Sequence, residues 1–231
     1  MRIRPILFNG EMVRAILDGR KTCTRRVVKP QWNGCDYFVH IHDEFLYDSK
    51  DNVVYCARCG EPLSPARKPP YRPGDILYVR ETYVAWDLVA LDGTGITFHY
   101  CYRATDPNGN RVPTSPEHDE WKERPWIPSI HMPKKAARIW LQVTDVKVER
   151  LQDITPKDAK NEGVGDLFYD DIGYSDKDYG TEVDPEYGVA KEQFAWLWDS
   201  TIKKAALDCY GWDANPWVWV IEFERREKPE E

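Results

Sequence analysis

Ile16-Leu17-Asp18-Gly19-Arg20-Lys21-Thr22-Cys23-Thr24-Arg25-Arg26-Val27-Val28 is the stretch on which the reading of this chain turns. Just upstream, apolar residues recur at helical spacing, Met12 with Ile16 and Val13 with Leu17, and Asn9 stands where an N-cap belongs. Gly19 is the residue type that ends a helix in a left-handed turn. From Thr22 to Val28 the pattern is extended, so the stretch reads as helix, stop and strand. A dense polar cluster fills the junction: of the eight residues 20–27, four are cationic and two are threonines. Cations just past a helix end favour its dipole. The same groups can also do chemistry, because a lysine can deprotonate a neighbouring hydroxyl and an arginine can hold an anion or a base edge.

Working outward, 3–8 reads as a short strand, with Pro5 marking an edge position. Residues 29–72 are punctuated by Pro, Gly and Cys and read as an irregular insertion. Pro73-Gly74-Asp75 is a turn signal before the strand 76–81, and 97–103 is an aromatic-rich strand. A segment with six prolines between Pro107 and Pro133 leads to a long strand over 137–150, in which Ile139, Leu141 and Val143 share a face. Thr155-Pro156 opens a helix with a capping hydroxyl and a proline in the first turn. Residues 165–188 hold eight acids and one lysine and read as a mobile loop. A helix over about 190–204 and a strand over 217–223 close the chain. These elements predict an α+β domain whose sheet curls into a small barrel, with flanking helices and long loop insertions.

A length of 231 residues fits a single elaborated domain over 1–231, and 42% hydrophobic content supplies a core. No apolar run approaches the length of a membrane span. The start of the chain lacks the apolar region of an export signal, so a cytoplasmic protein is expected, with its six cysteines free or bound to metal. A net charge of -7 argues against a non-specific polyanion binder. Yet residues 1–30 carry eight Lys/Arg against Glu11 and Asp18, which suits a local anion or nucleotide site.

Leu17-Asp18-Gly19-Arg20-Lys21-Thr22-Cys23-Thr24-Arg25-Arg26, then Pro73 through Glu81, then Val143-Thr144-Asp145-Val146 with Asp153-Ile154-Thr155 and Glu162-Gly163, together resemble the ASCH domain, a small barrel related to the PUA fold. Val218 through Phe223 looks like the family's closing strand. The chain is also similar to larger ASCH-type proteins of phages and prophages, although the insertions at 29–72, 104–128 and 165–188 have no counterpart in the minimal domain. One branch of the family is an amidohydrolase that deacetylates N4-acetylcytidine. The resemblance implies a catalytic set of Lys21, Thr24 and Glu162, with Arg26 as a substrate-binding arginine and no catalytic cofactor. At Arg25 the chain departs, since that branch is apolar there.

The implied chemistry is coherent. Thr24 attacks the acyl carbon if neutral Lys21 takes its proton, which requires burial and neighbouring cations to depress the amine. Glu162 orients the amine or hands a proton to the leaving nitrogen. Regular strand alternation would put positions 21 and 24 on opposite sides, so the backbone must still be turning after Gly19. Arg80 and Glu81 are candidates for a pocket rim or for an ordinary ion pair, and Tyr83 and Trp86 for stacking a pyrimidine. Trp196, Trp198, Trp217 and Trp219 read as core. Cys56-Ala57-Arg58-Cys59-Gly60 has the spacing of a zinc knuckle, with Cys35 as third ligand and His40 and His42 nearby, as a structural staple for the insertion. Cys23, Cys101 and Cys209 read as buried thiols. The competing function classes are a non-catalytic PUA-like module for RNA or modified bases, and a phage accessory protein acting through protein contacts.

Overall fold

Asn9, Gly19 and Thr155 act where the sequence puts them. In the computed structural model, which describes residues 1–31, 45–62, 68–89, 96–115, 118–164 and 185–230, the chain is mixed α+β. It runs β1 (Ile3–Leu7), α1 (Gly10–Leu17), β2 (Cys23–Val27), β3 (Phe45–Asp48), β4 (Val53–Cys56), β5 (Ile76–Arg80), β6 (Tyr83–Val89) and β7 (Ile96–Tyr102). Then follow β8 (Arg111–Ser115), β9 (His118–Glu123), β10 (Trp140–Arg150), α2 (Pro156–Asn161), α3 (Pro185–Thr201), α4 (Leu207–Tyr210) and β11 (Trp217–Arg226). One five-stranded mixed sheet has the order β1-β5-β10-β11-β2. No helix among the described residues is long and apolar enough to cross a membrane.

The chain forms two compact units. The first comprises Met1–Asp18, Ile76–Gln142 and Arg225–Glu231. In it β1 pairs parallel with β5, Ile3 opposite Ile76, and β1 is an edge strand as Pro5 requires. The Asn9 side chain accepts the Met12 amide at 2.8 Å, and Val13, Ala15 and Ile16 form the buried face of α1. A core of Ile76, Tyr83, Met132, Ala136, Ala137 and Trp140 lies beside the β6–β7 hairpin.

The second unit comprises Gly19–Asp75 and Val143–Glu224. Gly19 takes φ +78°, the left-handed turn that only glycine adopts freely, and directs the chain into β2. β2 pairs antiparallel with β11, placing Arg25 opposite Val220 and Thr24 opposite Ile221. Directly opposite residues share a face. One face, with Cys23, Val218 and Val220, packs on Ala159 of α2 and on Ala190, Phe194 and Trp198 of α3. Trp217 and Trp219 belong to the other face and meet Phe45 and Tyr47 of β3, with ring centroids 4.3 and 5.6 Å apart. The Thr155 side chain caps α2 by accepting the Asp158 amide at 3.1 Å.

Several expectations need correction. The insertion 29–72 contains the β3–β4 hairpin, whose aromatic residues have the indoles of β11 to pack against. The segment 104–128 contains the β8–β9 hairpin. Pro113 sits where the pairing shifts register, between Pro113 and Ser115, an irregularity that tolerates proline. Residues 165–184 of the acidic stretch lie outside the described residues, while 185–188 open α3, which starts earlier than the sequence suggests. Trp196 is exposed because Phe194 and Trp198, one helical turn apart, take the buried side of α3. Cys209 is exposed on α4, a single turn that buries none of its residues.

Candidate functional site

Lys21 sits between Gly19 and the start of β2, so strand alternation does not govern it. The backbone there is fixed from two sides: the Thr22 amide donates to the Asn161 carbonyl at 2.8 Å, and the Thr22 carbonyl accepts from Phe223 at 2.9 Å. These bonds bring Lys21 to the C-terminal end of α2, where Glu162 is the C-cap residue. Lys21 Nζ donates to the Glu162 carbonyl oxygen and to Oε2, each at 2.7 Å. The lysine side chain has no exposed surface and that of Glu162 has 4%. Lys21 therefore also satisfies a helix-terminal carbonyl, at α2 and not at α1.

Burial pushes the Lys21 amine below its ordinary value of 10.5; Glu162 and the Cys23 thiol oppose that shift, and the Arg26 charge adds to it. Once neutral, the amine keeps two N–H bonds that match the two Glu162 acceptors, which leaves its lone pair directed away from the carboxylate. That is the state in which it can take a proton.

Thr24 is 1% exposed. Its Oγ1 accepts a hydrogen bond from Arg26 Nη1 at 2.8 Å, and the same nitrogen also donates to the Arg25 carbonyl at 3.0 Å. Burial holds the Arg26 guanidinium below the ordinary arginine value, against the attraction of Glu162 and Tyr71. Register puts Trp219 opposite Arg26, and Tyr47 packs edge-on against that indole. An aromatic surface thus lies on the Thr24 side of β2.

Arg25 points to the other face of β2. Its Nη1 donates to Glu162 Oε1 at 3.3 Å, while Nε and Nη2 both reach Glu149 Oε1, at 3.0 and 2.6 Å. Asp158 Oδ2 lies 3.9 Å away, and the guanidinium stands over the Phe194 ring at 5.7 Å. Burial alone would lower Arg25, but Glu162, Glu149 and Cys23 together raise it above its ordinary value. The Cys23 thiol is pushed up to about 12, first by burial and then by Glu162, so it stays protonated.

Of the residues named from the sequence, Lys21 and Glu162 are in direct contact, while Thr24 and Arg26 are bonded to each other on the opposite face of β2 from Arg25. Sequence reading missed Arg25 as a partner of Glu162, and missed Glu149 and Asp158 behind it. Strand parity was the available signal, since Cys23 and Arg25 share the side of β2 that meets α2. Arg80, Glu81, Tyr83 and Trp86 belong to the other unit. There Arg80 Nε donates to the Met132 carbonyl at 2.7 Å. Glu81, 1% exposed, receives Nε and Nη2 of Arg138, each at 2.9 Å, and so takes the ion-pair reading. Tyr83 is buried and its hydroxyl donates to the His131 carbonyl at 3.3 Å. Trp86 pairs with His99 across the hairpin, and its side chain lies outside the described residues.

Cys56 and Cys59 flank one tight turn, closed by the Gly60 amide on the Cys56 carbonyl and the Cys56 amide on the Glu61 carbonyl, both at 2.9 Å. Cys35, His40 and His42 lie outside the described residues. Among the described residues, no three His, Cys, Asp or Glu side chains form a group able to hold a metal ion. No protein-family model matches the chain, nor does any curated protein or any solved structure.

Proposed function

We propose that this chain is an amidohydrolase that removes the acyl group from N4-acetylcytidine or a related N4-acylated cytosine nucleoside, carried on an ASCH-type, PUA-like barrel. One observation carries the reading: a fully buried lysine, held at 2.7 Å on Glu162, stands three residues before a threonine whose oxygen is gripped by Arg26. Such a lysine is suited to act as a base near neutrality.

In this reading the Thr24 oxygen attacks the acyl carbon and its proton passes to neutral Lys21. Arg26 meets the negative charge that develops on oxygen. When the bond between the acyl carbon and N4 breaks, Lys21 returns the proton to N4. Cytidine leaves and an acyl ester remains on Thr24. Water then attacks the ester, Lys21 shuttles its proton to the departing Thr24 oxygen, and acetate is released. Glu162 orients the amine throughout. Cytoplasmic nucleosides or RNA are the substrate pool that this reading implies.

Incubation of the purified protein with N4-acetylcytidine tests it. Ultraviolet absorbance should report conversion to cytidine, with an equal yield of acetate. A protein that binds the nucleoside and never hydrolyses it would instead be a recognition module for RNA or modified bases. A structural zinc on the Cys56–Cys59 turn belongs to the same reading, as a staple of the insertion outside the chemistry. Protein purified without chelator should carry about one zinc per chain, and a content near zero removes that part.

A further inference from the structure

We propose that Arg25 is a positioning residue: by taking Oε1 of Glu162 it keeps that carboxylate from engaging Lys21 with both oxygens, so that Lys21 remains available as a base. The proposal deepens the hydrolase reading and rests on its assignment of Lys21. Its basis is the division of one buried carboxylate between two cations, Oε2 at 2.7 Å from Lys21 and Oε1 at 3.3 Å from Arg25. A lone Lys–Glu pair in a buried setting holds its proton firmly, because the carboxylate is the amine's sole counter-charge. A second cation on that carboxylate weakens the hold, and its own positive charge also disfavours the ammonium.

The groups facing this centre come from every element packed on it. Before β2 stands Lys21; from β2 come Cys23, Arg25 and Arg26; from β10, Glu149 and Lys147, the latter held by Glu222 of β11; from α2, Asp158 and Glu162; from α3, the Phe194 ring; and Tyr71 acts on Arg26. Glu149 holds Arg25 from the far side through two donors on one oxygen, so it sets how fully Arg25 serves Glu162. Arg25 and Glu149 therefore act on Lys21 with opposite signs. Removing the arginine takes away the direct partner of Glu162 Oε1 and strengthens the carboxylate's grip on the lysine proton. Removing the Glu149 charge turns Arg25 more fully onto Glu162 and loosens that grip. Simple loss of packing would not produce opposite shifts.

The test reads Lys21 directly, without substrate, by NMR titration of lysine labelled at Cε, with Lys21→Arg identifying its signal. Arg25→Met should move the Lys21 midpoint upward by about one pH unit, and Glu149→Gln should move it downward by a few tenths. Arg25→Lys, which restores the charge, should bring it back toward the parent value. In the hydrolysis assay the rising limb of kcat should follow these midpoints, so that Arg25→Met loses about tenfold in kcat near neutrality and recovers at alkaline pH, with KM little changed. Shifts of one sign in both variants, or no shift in either, overturn the proposal. If Arg25→Met does not fold, the downward shift in Glu149→Gln and the unshifted Arg25→Lys decide the matter. Correct midpoints in a protein that never turns over N4-acetylcytidine would uphold Arg25's role and sink the hydrolase reading instead.

Discussion

Each unit of the molecule buries a glutamate, and the two have been given different company. Among the described residues Glu81 pairs with Arg138, whose planar fork meets both oxygens at 2.9 Å while the guanidinium lies on the Tyr102 ring at 4.1 Å. The charges are matched one to one and the geometry is closed. Glu162 is shared by Lys21 and Arg25 and also feels Arg26. Glu149 and Asp158 add negative charge behind Arg25, so partners there are shared along a chain, and Lys21 is the cation on which burial outweighs the counter-charge. A closed pair gives a strut. A shared one gives a group with a reason to change its protonation state.

The sharpest way to break the contrast is to remove the groups to which the proposed function assigns the reaction. Thr24→Ala and Lys21→Ala should each lower hydrolysis of N4-acetylcytidine by about 10³-fold, with circular dichroism unchanged. The double variant should be hardly worse than either, since such residues act as a unit. Turnover surviving in Lys21→Ala would place the base elsewhere. The strut should fail differently. Glu81→Gln is expected to cost about 2 kcal/mol of stability in urea denaturation, discounted because the Arg138 side chain is 28% exposed. A midpoint within error of the parent would show that the matched pair contributes nothing. The smallest effect belongs to Cys23. Among the described residues its sulfur makes weak hydrogen bonds of 3.9 Å, with Arg25 and with the Asp158 carbonyl, and otherwise packs in the core. Cys23→Ala should therefore cost about 1 kcal/mol or less in a thermal melt and leave the Lys21 titration in place. A large shift there would mean that the thiol belongs to the proton circuit.

Local signals in the sequence were strong where one residue type had one job. Asn9 and Gly19 bracket α1, Pro5 marks an edge strand, and Thr155-Pro156 starts α2. The same logic failed at the hairpins of both insertions. Prolines and glycines there looked like irregular chain, while the aromatic residues that pin β3 have their partners at Trp217 and Trp219, far along the sequence. The long strand misled in another way. Alternation through Leu141 and Val143 does not continue, because Thr144 and Asp145 are both exposed and burial resumes at Val146 and Val148. That change of phase leaves Glu149 among the half-buried positions, where it can meet Arg25. At the site, Lys21, Thr24, Arg26 and Glu162 could be named from short segments. Arg25 could not be given its role, since its contact with Glu162 spans 137 residues and arises only when β2 meets the end of α2.

Gly163 follows Glu162 with φ +87°, and the next residue, Val164, is tucked into the core beside α3. Helix α2 is thereby finished and moored within two residues of Glu162. Whatever chain length follows Val164 hangs from a fixed point, and growth or loss of sequence there pulls on an anchored valine before it can pull on the carboxylate. The position is a natural splice site. An insertion made there should leave the Lys21–Glu162 contact in place.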